Sequence, residues 1–209
     1  MPRLKITKTS KQSSWGLWYI SESEESLSFE AMETCPEEVV NPQKRLEWLA
    51  SRVLIRSLVE HAGLTYSGVH KNEFGKPYLK QLPHHISLSH SYPYVAAQMD
   101  RNQSVGIDVE QPKEKLLTIA HRVLSQDELI NAGTDVIKHC VYWCAKEAMY
   151  KIFGRRGLHF SSHLLIQPFD LEPAGQLSGQ ILADTTLQVS LGYLIQTDYV
   201  LVYTQLVSE

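Results

Sequence analysis

Apolar residues recur at helical spacing through Leu46, Leu49, Ala50, Val53, Leu54 and Leu58, forming a single stripe. Asn41-Pro42 ahead of that stripe supplies an N-cap and a first-turn proline, and Gly63 a stop. The pattern predicts a long helix over residues 41–63, with Lys44, Arg45, Arg52 and Arg56 spread over its remaining surface. A capping-box sequence at Ser125-Gln126-Asp127-Glu128 precedes a second long helix, predicted from about Asp135 to Phe153 and stopped by Gly154. Strand patterns occupy residues 15–20, 86–90, 94–99, 104–110, 164–167, 187–196 and 199–207. A short Ser/Pro-containing turn separates the second and third of these, and Thr197-Asp198 the last two.

Strand, long helix and antiparallel strands thus occur twice, without the regular alternation that would build a parallel doubly wound sheet. The predicted class is α+β, with two pseudo-symmetric halves, each a long helix packed on a small antiparallel sheet. The expected division is 1–103 and 104–209. No low-complexity segment or long Pro/Gly/Ser linker interrupts the chain, so the halves are expected to be packed parts rather than tethered ones.

Composition narrows the function classes. The 209 residues are 43% hydrophobic and 21% charged, as in an ordinary globular protein. A formal net charge of −3 provides no global positive field for holding nucleic acid, so any anion site must be local. The first residues carry basic side chains but no apolar signal segment, and no stretch reaches bilayer-spanning length, so a cytoplasmic location without a membrane partner is expected. Cys35, Cys140 and Cys144 lack metal or redox spacing and read as small, reduced core residues.

Candidate chemistry concentrates in a few segments. In Val105-Gly106-Ile107-Asp108-Val109-Glu110, alternation puts the three apolar side chains on one strand face and both carboxylates on the other. Residues two apart on a strand lie about 6.5–7 Å apart at the backbone, close enough to serve one hard cation. An isolated pair of this kind is usually two solvated carboxylates, so context decides. Glu147 and Lys151 lie one helical turn apart in Trp143-Cys144-Ala145-Lys146-Glu147-Ala148-Met149-Tyr150-Lys151, which by itself describes a surface ion pair. A third carboxylate and a lysine are nevertheless what transfer of a phosphate-linked group requires. Ser87-Leu88-Ser89-His90-Ser91 offers hydroxyls and an imidazole to phosphate oxygens, and Gly75-Lys76-Pro77 fixes the base of a lysine. There is no P-loop, Rossmann glycine motif, GxSxG or HExxH.

Taken in order, Gly75-Lys76-Pro77, Ser87-Leu88-Ser89-His90-Ser91, Gly106-Ile107-Asp108-Val109-Glu110 and the segment from Trp143 to Lys151 resemble the signature of the 4′-phosphopantetheinyl transferase superfamily. Length and the first half are similar to the surfactin-synthetase type, which is a monomer of two pseudo-symmetric halves. The resemblance implies transfer of the phosphopantetheine arm of coenzyme A to a serine of an apo acyl or peptidyl carrier protein, with release of 3′,5′-ADP. It implies that Asp108, Glu110 and Glu147 hold Mg²⁺, or Mn²⁺ in its place, and that Lys151 counters phosphate charge. Glu147 is then base or metal ligand, Lys76, Ser89 and His90 bind phosphates of coenzyme A, and Arg45, or next Arg52, holds its adenosine end. Gly154-Arg155-Arg156-Gly157-Leu158 is one residue longer than the Gly-Lys-Gly-Leu-like turn of many relatives, and its arginines face an acidic carrier protein or only solvent.

Two other readings are weaker. A metal-dependent nuclease shares the acidic pair and a Glu-Ala-x-x-Lys helix, but it would leave the Ser-His and Gly-Lys-Pro segments without a role and lacks a basic surface. A non-catalytic binder of coenzyme A or a carrier protein would have no chemical reason to keep Asp108, Glu110, Glu147 and Lys151 together.

Overall fold

Burial of every residue of 13–18 makes a strand the natural state of that segment, and the rest of the first sheet assembles around it. The computed structural model describes residues 4–205. The chain divides into two units, Met1–Val105 and Gly106–Glu209.

The first unit contains β1 (Leu4–Lys8), β2 (Ser13–Tyr19), α1 (Glu24–Ala31), α2 (Pro42–His61), β3 (Val69–Lys71), β4 (Pro77–Leu79), β5 (His85–Ser91) and β6 (Tyr94–Asp100). Its six strands run in the order β1-β2-β6-β5-β4-β3, each pair antiparallel. Asn41 caps α2 by accepting from the Lys44 amide at 3.1 Å, with Pro42 at the first helical position. The stripe predicted from the sequence faces the sheet: Leu49, Ala50, Val53, Leu54 and Leu58 are buried against β2, β5 and β6. Gly16 on β2 makes this approach close, because a Cβ there would meet Leu54 Cδ1 at 2.8 Å.

One expectation fails on this helix. Arg52 is not on the surface but 6% exposed. Its guanidinium lies 4.2 Å from the Trp48 ring centroid, Nε is 3.2 Å from Glu33 Oε1, and Nη1 donates to Ser51 Oγ. Glu33 follows α1, which packs on α2, and it also accepts from the Tyr66 hydroxyl and the Val69 amide. The helical stripe misses this because α1 covers a second face of α2.

The second unit contains β7 (Ile107–Glu110), α3 (Lys115–Val123), α4 (Gln126–Ala132), α5 (Val136–Phe153), α6 (Phe160–His163), β8 (Leu164–Ile166), β9 (Ala174–Leu182), β10 (Thr186–Ile195) and β11 (Val200–Thr204). The strand order is β7-β11-β10-β9-β8, again antiparallel throughout. Asp135 caps α5, and Gly154 ends it in the left-handed region at φ 67°. Ser125 and Glu128 form the capping box of α4.

The two units share one topology. In each, a strand leads to the long helix and then to a four-strand meander whose last strand pairs with the first: β2, α2 and β3 to β6 correspond to β7, α5 and β8 to β11. The fold is α+β, as the order of elements predicts. Several elements are not predicted: β1, α1, α3, β3, β4, α6 and β9, each short, polar on one side or interrupted by glycine. The predicted strand at 104–110 is shorter, because the Thr204 side chain takes over from the ladder, accepting from the Gly106 amide at 2.8 Å. Residues 206 and 207 of the last predicted strand lie outside the described residues. Among the described residues no helix is long and apolar enough to cross a membrane.

Candidate functional site

Strand β7 lies beside α5 in the second unit, and their approach is set by Gly106. A Cβ at this position would sit 1.9 Å from the Ala148 carbonyl oxygen, so only glycine permits the observed spacing. Ile107 and Val109 enter the core, and Asp108 on the opposite face is itself buried under the helix. It is not the solvated carboxylate that an isolated acidic pair would be. Lys151 Nζ donates to Asp108 Oδ1 at 2.8 Å and to the Ile107 carbonyl at 2.8 Å, tying the last turn of α5 to the strand.

Glu147 stands one turn before Lys151. Burial raises its pKa above the ordinary glutamate value, the negative charge of Asp108 raises it further, and Lys151 pulls it back. The two carboxylates and the ammonium are therefore one electrostatic group, with an excess of negative charge. Glu110, half-buried on the same strand, accepts from the Gln111 amide through Oε1 at 2.9 Å. Among the described residues no three acidic, His or Cys side chains already form a metal cage. The ammonium of Lys151 is a cation paired with Asp108.

Beneath this group lies a pair the sequence reading leaves without a role. Lys146 is fully buried, and Nζ donates to Glu128 Oε2 at 2.6 Å and to the carbonyls of Val123 and Phe160 at 2.9 Å each. Glu128 accepts in turn from the amides of Ser125 and Ile166. This pin joins α5 to the end of α3, the start of α4 and β8. The signal was present in the sequence: Lys146 falls in phase with Tyr142 and Met149 on the buried face of α5, where a cation demands a partner.

The remaining candidates lie in the first unit. Lys76 Nζ donates to Ser104 Oγ at 2.6 Å, and burial lowers its pKa. Ser89 is buried and His90 half exposed on β5, and His90 Nδ1 lies 3.1 Å from Glu47 Oε2. Glu47, on α2, also takes Lys44 Nζ at 2.6 Å and Gln43 Nε2 at 3.2 Å. Burial works to raise its pKa, but the Lys44 hydrogen bond and the His90 charge outweigh this and hold it low. Glu47 is absent from the sequence-predicted set, since a glutamate three residues after Lys44 in the first turns of a helix looks like an ordinary surface charge. Arg45 is paired with Glu24 at 2.7 Å and donates to the Val39 carbonyl, and Arg52 is committed to Glu33 and Trp48. Arg155 and Arg156 are exposed, the former 5.9 Å from the Phe153 ring centroid. All three cysteines are free and buried.

Comparison with known proteins bears on the second unit most directly. Residues 104–204 match the family described as the 4′-phosphopantetheinyl transferase superfamily. A 4′-phosphopantetheinyl transferase of Bacillus subtilis is 32% identical over 118 residues, covering 51% of each chain. The 4′-phosphopantetheinyl transferase psf-1 of Bacillus pumilus is 37% identical over 87 residues, covering 39% of this chain and 37% of its own. The 4′-phosphopantetheinyl transferase Sfp of Bacillus subtilis strain 168 is 31% identical over 121 residues, covering 51% of each chain. The chain spans about half the length of the relatives it matches. The matched stretch contains β7, α5 and every member of the Asp108, Glu110, Glu147 and Lys151 group, and over it the chain is similar to the 4′-phosphopantetheinyl transferase superfamily.

Proposed function

We propose that this protein transfers the 4′-phosphopantetheine moiety of coenzyme A to a serine hydroxyl of an apo acyl or peptidyl carrier protein, releasing 3′,5′-ADP. The observation that carries this reading is the convergence of buried Asp108 with half-buried Glu147 and Lys151 on β7 and α5, within the segment that matches the superfamily. The relatives it matches are named as transferases of this kind.

The donor set fits Mg²⁺. It consists of carboxylate oxygens, and Glu147 and Asp108 are close enough that, after burial, the charge of Asp108 helps to raise the Glu147 pKa. Asp108, Glu110 and Glu147 would hold the ion, and Mn²⁺ would accept the same oxygens. Bound there, it would supply Lewis-acid neutralisation of the pyrophosphate of coenzyme A.

The chain's own groups do the rest. Lys151 offsets charge on a phosphate oxygen. The serine oxygen forms a bond to the β-phosphorus, and the bond from that phosphorus to the bridging oxygen breaks. The bridging oxygen leaves with its electron pair on 3′,5′-ADP. Glu147, whose pKa burial raises above the ordinary glutamate value, is a stronger base for that shift and as the carboxylate is suited to take the serine proton. Lys76, Ser89 and His90 bind the 3′-phosphate and pyrophosphate, and Arg45 the adenosine end. Arg52 is left out of this set because Glu33 and Trp48 hold it inside the fold. In this reading residues 104–209 supply the metal-holding carboxylates, and the protein acts as a cytoplasmic monomer with neither nucleic acid nor membrane as a partner.

Incubation with a fluorescently tagged coenzyme A and an apo carrier protein tests the assignment. Label should move to the carrier with Mg²⁺ present and stay off it with chelator. Labelling that ignores chelator would remove the metal from the account, and none with carriers from several pathways would remove the activity.

A further inference from the structure

The Glu47 cluster has an unusual distribution of exposure. The carboxylate is 1% exposed, whereas the side chains of its two cationic partners, Lys44 and His90, are 53% and 45% exposed. Burying an anion beneath two half-exposed basic side chains leaves a surface to which Lys44, and His90 when protonated, contribute positive charge. Gln43 completes the hydrogen bonding of Glu47 from the same helix, and the β6 residue paired with His90 is the apolar Val95.

We propose that Glu47 is the positioning residue of the His90 imidazole, fixing the ring through Nδ1 and keeping it cationic for contact with a phosphate oxygen of coenzyme A. This rests on the reading of His90 as a phosphate contact given above. A hydrogen bond to Nδ1 sets which nitrogen carries the outward donor and which way the ring faces. A carboxylate 3.1 Å away also favours the charged ring over the neutral one. The pH consequence follows in sign. A His whose pKa is raised is charged below that pKa, so its contribution to phosphate affinity is lost as pH rises through it. Without Glu47 that loss occurs at lower pH.

The test uses two measurements on the full chain, neither needing a carrier protein. The first follows the His90 ring proton by NMR against pH, assigned by its disappearance in His90→Gln. Its midpoint should lie above the ordinary value of about 6.5 and fall by about one pH unit in Glu47→Gln. The second is a double-mutant cycle on coenzyme A affinity at pH 7.5. Glu47→Gln should weaken binding about tenfold in the native background and by less than about twofold when His90→Gln is already present. Glu47→Asp, which retains the charge, should recover part of the loss. An equal effect of Glu47→Gln in both backgrounds would make Glu47 a purely structural residue and overturn the proposal. So would a native His90 midpoint at or below about 6.5, which is decisive even if Glu47→Gln does not fold. Failed transfer to a carrier protein would count against the transferase reading and leave this pairing standing.

Discussion

Replacing Gly106 by alanine adds a single methyl group at the point where β7 meets α5. That methyl would begin 1.9 Å from the Ala148 carbonyl oxygen, and real contacts of this type start at 3.0 Å, so strand and helix must part by roughly 1 Å. The strand cannot move cheaply. Gly106 is held to Thr204 by three hydrogen bonds, the Thr204 amide and hydroxyl donating to the Gly106 carbonyl at 2.9 Å and 3.0 Å and the Gly106 amide to Thr204 Oγ1 at 2.8 Å. The obstacle is backbone, so no substitution at Ala148 relieves it. We expect a cost of about 3 kcal/mol, the upper part of the overpacking range. For a chain of this length that corresponds to a fall in Tm of about 6–12 °C. The same displacement separates Lys151 from Asp108 and should lower kcat/KM for carrier-protein modification about a hundredfold. Gly179→Ala is the control, since its closest neighbours are the flexible side-chain ends of Ile166 and Met149, and it should cost less. Thermal unfolding with parallel rate measurements decides. A Gly106→Ala variant within about 2 °C of the native Tm and fully active would refute the close-approach argument.

Lys146→Met should destabilise by about 3–5 kcal/mol, since it strands the buried Glu128 carboxylate and two carbonyls, and should shift the urea midpoint with unchanged slope. Glu128→Gln should also destabilise, because it leaves the Lys146 ammonium buried without a counter-charge and turns an amide NH2 toward a donor, and a cost for Lys146→Met below about 1 kcal/mol would contradict the pin. Glu47 has a lowered pKa in the fold, so its stabilising contribution is present above the unfolded value of 4.5 and lost as pH falls through its folded value. The difference in thermal stability between native protein and Glu47→Gln should therefore shrink as pH drops below 4.5, and a constant difference would argue against the ionised cluster. Arg52→Ala should lower stability through loss of the Trp48 and Glu33 contacts while changing coenzyme A affinity little, as measured by calorimetry.

How much of this was legible depends on what kind of signal each residue leaves. The two long helices and the β5–β6 pair are readable because periodicity, caps and stops agree: Asn41, Pro42, Asp135 and Gly154 all perform the roles their positions suggest. Strand β9 is not, since Ala174–Leu182 carries two glycines, and Gly179 is needed for contact with Ile166 and Met149 rather than for strand formation. Asp108, Glu147 and Lys151 could be named from alternation and the i,i+4 rule, but the burial of Asp108 could not, because it depends on a helix distant in sequence. Charge misleads on α2 in both directions. Arg52 looks like surface and is covered by α1, whereas Glu47 looks like surface and is the buried centre of a cationic cluster. Lys146 shows the converse, being out of place by period and for that reason informative.

The most direct measurement is the intact mass of an apo carrier protein after incubation with coenzyme A, Mg²⁺ and either the native chain, Asp108→Ala or Glu147→Ala. The account predicts a gain of one phosphopantetheine with the native protein, abolished by chelator and by either substitution. Modification that persists in both variants would contradict the assigned site, and no modification by a native protein that binds coenzyme A would contradict the transferase activity itself.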